Sequence, residues 1–322
     1  MRPLAIIAGI SVPLLVLGSL NLLSVNLMRY LMQICLYIAL GEAWNLMSGF
    51  TGMTSLGQQL YIGLTGYTIA VMTSIYELPF YAGMAAGFVI CGLVSFLLSF
   101  VLFRMDGMYF SIASWVAAEA ACLIFLNWDF INSGAGMIIS IAPYPTTRHI
   151  FMWSLVLSGL CIAVIYVLMR SKAGLAIMAM RDDPDAALSV GISISRYKLL
   201  TYVCSALIAS LAGGMFFINK GVIYPDSGFH SSWTISTVFI VIIGGSGTIA
   251  GPIVGSALYV ILNEYLAHLP GWSNIILGII TIIVVLFWPE GIVGTLQSRL
   301  QIEFFPLRRL PEPIVPTKKK PV

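Results

Sequence analysis

The chain has 322 residues, of which 59% are hydrophobic and 9% charged, with a net charge of +3 and a mean hydropathy of +0.97. A soluble domain carries about a quarter charged residues, so this composition excludes a water-soluble globular protein: there is too little charge to coat a wetted surface. Lipid-facing backbone must be satisfied internally, which leaves helices or a closed barrel, and the short alternating segments of a barrel are absent.

Taken in order, apolar runs of about 20 residues, the length a bilayer demands, predict spans near 4–24, 28–47, 55–75, 80–103, 109–127, 150–169, 199–219 and 274–294. The expected architecture is an all-α bundle of about eight spans, forming one transmembrane domain over 1–322. The opening run, MRPLAIIAGISVPLLVLGSL, is followed by no clean cleavage site and reads as a retained first span.

Between the second and third spans, GEAWNLMSGFTGMTSLG (41–57) is glycine-rich and polar. It holds Asn45, Gly49, Gly52 and Ser55, with Gln58 just beyond it. Amides near span ends commonly hydrogen-bond between helices. Glu119 lies inside the fifth span; such an acid usually faces the bundle interior or a cavity. It serves either a structural pairing or transport.

The longest polar stretches are 170–198 and the basic tail 298–322. In the first, Asp183 is placed to cap a helix, Pro184 to occupy its first position and Asp185 its first turn, and Gly191 to close it. Ala186, Ala187 and Val190 fall on one face at helical spacing, small enough for another backbone to approach. The result is a short, charged insert between two spans, suited either to docking a partner in water or simply to carrying the inside positive charge as a solvated loop.

Region 233–265 is apolar but interrupted by GGSGTIAGP, which carries Gly244, Gly245, Gly247, Gly251 and Pro252. Each half is short for a full crossing, so a re-entrant or broken helix pair is expected, with the glycine break at membrane depth as a pathway wall. The segment GSGTIA formally matches a dinucleotide fingerprint but has no βαβ context. No phosphate-binding GxxxxGK[ST] occurs, so any ATP chemistry lies on another chain. No catalytic or metal constellation is visible, and no cofactor is expected. The five cysteines are scattered in apolar runs as small hydrophobes.

With the 170–198 loop placed in the cytoplasm, thirteen of the sixteen basic residues fall on that side. Only Arg29, Arg148 and Lys220 fall opposite. This bias predicts both termini in the cytoplasm.

Three stretches together resemble one family. The segment DAALSVG (185–191) resembles the acidic-Ala-Ala-x-x-x-Gly signature of the cytoplasmic coupling loop of ABC importer permeases. The longer AMRDDPDAALSVGISISRYKLLTYVCSALIASLAGG, LGEAWNLMSGFTGMTSLGQ and GVIYPDSGFHSSWTISTVFIVIIGGSGTIAGPIVGSAL are similar to the branched-chain amino acid permease family, in that family's order. The resemblance implies a multi-pass bacterial inner-membrane permease, not itself an enzyme, for branched-chain or related hydrophobic amino acids. It implies a second homologous permease subunit, two cytoplasmic ATP-binding subunits and an extracytoplasmic substrate-binding protein as partners, with no nucleic acid. It also implies that Arg181, Asp182, Asp183, Asp185, Ala186, Ala187, Gly191 and Arg196 form the ATPase-coupling loop. Permeases of the same superfamily for urea, amides or a sugar remain an alternative, as does an ion-coupled secondary transporter.

Overall fold

The computed structural model describes residues 24–141, 144–266, 272–288 and 290–300. The run expected to span at 4–24 and nearly all of the 298–322 tail lie outside these residues.

Helix α1 (Val25–Asn45) starts where Ser24 accepts from the Leu27 N–H and ends in a π-helical turn, Leu46–Phe50. The freed Leu46 carbonyl accepts from Thr51 Oγ1 at 2.8 Å, so the turn closes without an orphan acceptor. Then come α2 (Gln59–Ser74), α3 (Phe80–Leu102), α4 (Met108–Leu126) and α5 (Thr147–Arg170). The polar insert folds as α6 (Lys172–Asp182) and α7 (Pro184–Ser189) before the long α8 (Ile194–Lys220). The remainder is α9 (Pro225–Phe229), α10 (Ser232–Gly244), α11 (Ala250–Leu266), α12 (Ser273–Phe287) and α13 (Gly291–Leu300). The bundle is all-α apart from one two-residue ribbon, β1 (Met137–Ile138) antiparallel to β2 (Val222–Ile223).

Among the described residues five stretches are long and apolar enough to cross a membrane: α3, α4, α5, α8 and the α9–α10 pair over Pro225–Gly244. The runs expected at 28–47, 55–75 and 274–294 form α1, α2 and α12. Of these, α2 and α12 are 16 and 15 residues long, and α1 is diluted by Arg29, Gln33, Glu42 and Asn45.

Helix α1 is central, packed against α5, α8, α10 and α11. Leu36, Leu40, Leu46 and Phe50 are sealed in this core. Helix α2 lies between α3 and α8; a Cβ at Gly213 of α8 would stand 2.7 Å from the Ile62 Cα, so the two backbones touch. The outer sides of α3 and α4 (Leu93, Leu97, Phe100, Val116, Leu123) are apolar and exposed.

The bundle has two distinct ends. The ribbon end holds β1–β2 and the Tyr30 hydroxyl, which donates to Glu264 at 2.8 Å across α1 and α11. The loop end holds α6, α7 and the ion pair between Lys198 and Asp106 at 3.3 Å.

Candidate functional site

At the loop end, single residues join the helices. Ser171 closes α5 and opens α6, donating to the Leu168 carbonyl at 2.6 Å and accepting from Ala173 N at 3.1 Å. Asp183 does the same between α6 and α7, its carboxylate accepting from Asp185 N and Ala186 N, both at 3.0 Å. Helix α7 then ends in a Schellman motif: Ile192 N donates to Ala187 O at 3.0 Å and Gly191 N to Leu188 O at 2.9 Å. Gly191 holds φ +85, as that motif requires. The short capped helix expected from the sequence is therefore present.

Its faces differ from expectation. Ala187 is 2% exposed and turns into the bundle. The outward surface is built from Ala186, Leu188 and Val190, with Asp185 beside them. Helical spacing put Ala186, Ala187 and Val190 together, but α7 has fewer than two turns and is pinned by its buried side. Arg196 stays exposed at the start of α8.

Arg181 also makes contacts within the chain. One guanidinium nitrogen donates to the Gly49 carbonyl of the π-helical turn at 2.8 Å. The other two nitrogens hold Asp182 at 2.9 and 3.1 Å. Its aliphatic stem covers Gly52; a Cβ there would lie 3.2 Å from the Arg181 Cγ. The loop is thus attached to the end of α1.

The glycine turn between α10 and α11 arrives at the same place. Asn45 Oδ1 accepts from Gly247 N at 2.8 Å and its amide donates to Thr248 O at 3.0 Å. A Cβ on Gly49 would lie 2.5 Å from Gly247 N, and one on Gly244 1.9 Å from the Gly251 carbonyl. No side chain fits at either, which explains why this contact needs glycine. Gly245 meets the α13 start at Gly291, and Pro252 packs on Gly41.

The expected broken helix pair is present, with a longer first arm. With α9 ahead of it, the first arm extends over twenty residues, Pro225–Gly244, and the break sits beside Arg181 at the loop end. Both arms do begin and finish at the ribbon end, where Glu264 meets Tyr30.

Ser55 and Gln58 secure the far side of α1. The Ser55 carbonyl accepts from Trp44 Nε1 at 2.8 Å, and Gln58 Nε2 donates to Leu40 O at 3.2 Å. Next to it, the Gln59 side-chain oxygen Oε1 accepts from the Thr234 hydroxyl of α10.

The buried acid is not the expected one. Glu119 is half-buried on α4 and stands apart from this cluster. Glu42 on α1 is fully buried, and neither carboxyl oxygen makes a hydrogen bond. Asn45 and Cys161 are its polar neighbours. The signal for Glu42 was in the sequence: an acid inside the apolar run LYIALGEAW.

The sequence model of the family described as "Branched-chain amino acid transport system / permease component" matches residues 26–285, from α1 into α12. The high-affinity branched-chain amino acid transport system permease protein LivM of Salmonella typhimurium is 27% identical over 299 residues, covering 83% of this chain and 70% of that protein. LivM of Escherichia coli matches to the same extent. The fructose import permease protein FrcC of Rhizobium meliloti is 28% identical over 178 residues, covering 53% of this chain and 46% of that protein. No solved structure matches. With one family model running through the central helix, the loop and the glycine turn alike, the chain belongs to the branched-chain amino acid transport permease family and is a multi-pass membrane protein.

Proposed function

We propose that the chain is a transmembrane subunit of an ATP-driven importer for branched-chain or related hydrophobic amino acids. It forms the pathway with a second permease and is driven by two ATP-binding subunits in the cytoplasm. A binding protein delivers the solute at the ribbon end. The loop end then faces the cytoplasm, with both termini, a placement the basic-residue bias supports.

The observation that carries this reading is the bond from Arg181 to the Gly49 carbonyl. It ties an exposed, doubly capped helix to the one point where α1 and the glycine turn meet. ATPase closure that displaces α7 moves α6, and through Arg181 bears on Gly49, Asn45 and Gly247. Capping makes α7 stiff enough to transmit displacement, and its outward Ala186, Leu188 and Val190 supply an apolar contact.

The test is reconstitution with the co-purified partners. L-leucine, L-isoleucine or L-valine with its binding protein should stimulate ATP hydrolysis and uptake. Stimulation by a sugar or urea instead would favour the second reading, which the match to a fructose import permease supports. Protease should cut 170–198 in inverted vesicles and spare it in sealed right-side-out cells; the reverse would overturn the orientation.

A further inference from the structure

At the ribbon end, α1, α8, α10 and α11 part to leave a cavity of about 400 Å³. Its wall is aromatic. Tyr37 packs edge-on to Tyr259 with ring centres 4.8 Å apart, and Phe216 edge-on to Trp233 at 4.6 Å. Ser236 and the Tyr259 hydroxyl are hydrogen-bonded to each other at 2.6 Å and Ser227 is engaged by the Tyr224 backbone, while Ser232 and Asn263 add polar groups to the lining.

The rim is different. Lys220, the last residue of α8, and Asp226, in the first turn of α9, both line the cavity and are exposed. Among the described residues neither forms a salt bridge, though the cavity brings opposite charges to one opening. His230 is engaged, accepting from Ser232 N at 3.1 Å.

An aromatic wall topped by one ammonium and one carboxylate suits a particular ligand chemistry. Small-molecule sites measure roughly 300–1,000 Å³ and are apolar with a few placed polar groups. A carboxylate on the ligand is drawn to Lys220. An ammonium is drawn to Asp226 and to the ring faces. The side chain beyond them meets the rings of Phe216 and Trp233, which favour an apolar group.

We infer that this cavity is a receiving site for a zwitterionic α-amino acid with an apolar side chain, its carboxylate on Lys220, its ammonium on Asp226 and its side chain against Phe216 and Trp233. The solute's identity rests on the importer reading; the cavity and its two charges do not. An occupant presses on Trp233 and Tyr259, and those two helices, α10 and α11, meet at the glycine turn at the other end.

The test measures equilibrium binding to the assembled transporter in nanodiscs, with no binding protein present. The probes are L-leucine, leucinamide, which lacks the carboxylate, and 4-methylpentanoate, which lacks the ammonium. Lys220→Gln should weaken L-leucine and 4-methylpentanoate by about tenfold, the loss of one charge-assisted hydrogen bond, and leave leucinamide unchanged. Asp226→Asn should weaken L-leucine and leucinamide and leave 4-methylpentanoate unchanged. Both residues are exposed, so the variants should assemble normally by gel filtration. Unchanged binding of all three probes overturns the proposal. So does an effect seen only on ATP hydrolysis stimulated by loaded binding protein, which would make the rim a protein-docking surface. If leucine drives hydrolysis and both variants still bind it normally, the cavity proposal alone fails. If no amino acid binds and another solute drives hydrolysis, the importer's substrate reading fails and takes this proposal with it.

Discussion

Asn45 holds the main chain at Gly247 as a neighbouring strand would, accepting from Gly247 N and donating to Thr248 O at 2.8 and 3.0 Å across 202 residues of sequence. One side chain therefore keeps the α10–α11 turn in register with the end of α1. Asn45→Ala leaves the half-buried Gly247 N–H without its side-chain partner, which costs on the order of 1 kcal/mol. The variant should insert and assemble, but transport poorly and become labile to protease at 245–249. Asn45→Asp keeps the acceptor and should fall between the two. Wild-type uptake and protease resistance in Asn45→Ala would sink the idea.

Arg181→Ala removes the link between the loop and Gly49. The ATPase subunits should still co-purify, because the outward face of α7 is untouched. Coupling between hydrolysis and uptake should fall by roughly two- to thirtyfold, the range for about 0.5–2 kcal/mol of lost coupling. Lysine can reach one carbonyl but cannot also hold Asp182 in a fork, so Arg181→Lys should restore part of it. Loss of ATPase co-purification in Arg181→Ala would instead return Arg181 to the docking rim.

Much of this end of the molecule was legible, and the limits have physical causes. The α7 helix was readable because Asp183, Pro184 and Gly191 act within a few residues of one another. The family was readable because its motifs are local strings. The burial of Ala187 was not, since a short helix leaves its orientation to tertiary contacts. Nor was the attachment of Arg181 to Gly49, which needs α6 to fold back beneath α1. The length of the hairpin's first arm was not legible, because α9 lies ahead of α10 and extends that arm back to Pro225. Glu42 was passed over because its neighbours Gly41, Trp44 and Asn45 read as the edge of a span, whereas all are buried in the core.

Gly191→Leu forces a branched side chain into φ +85 and breaks the Schellman closure of α7. Nothing packs within 4 Å of that position, so the effect should stay local. The membrane bundle should keep its melting temperature while ATPase co-purification drops. Asp183→Ala should act in the same direction, by about 1 kcal/mol of lost capping. Normal docking by both variants would make the loop a solvated linker.

Glu42→Gln tests the unpartnered acid. Ionising a carboxyl buried without a partner would be so costly that the neutral acid is favoured, and glutamine keeps its shape with no charge to gain. The variant should hold or gain thermal stability, with uptake within about twofold of wild type. A fall in melting temperature would show that the charge is paired in the assembled transporter. Glu42→Ala should lose stability through the cavity it leaves.

The joints at Ser171 and Asp183 have a kinematic consequence. Each is a lone residue that serves as the stop of one helix and the start of the next. Such a joint can pivot but has no slack chain to pull out. Three rods, the first of 24 residues and about 36 Å long, are thus hinged end to end without play. A push at the tip cannot be lost to a loosening connector; it has to reappear as a swing of α6 or a thrust along α5.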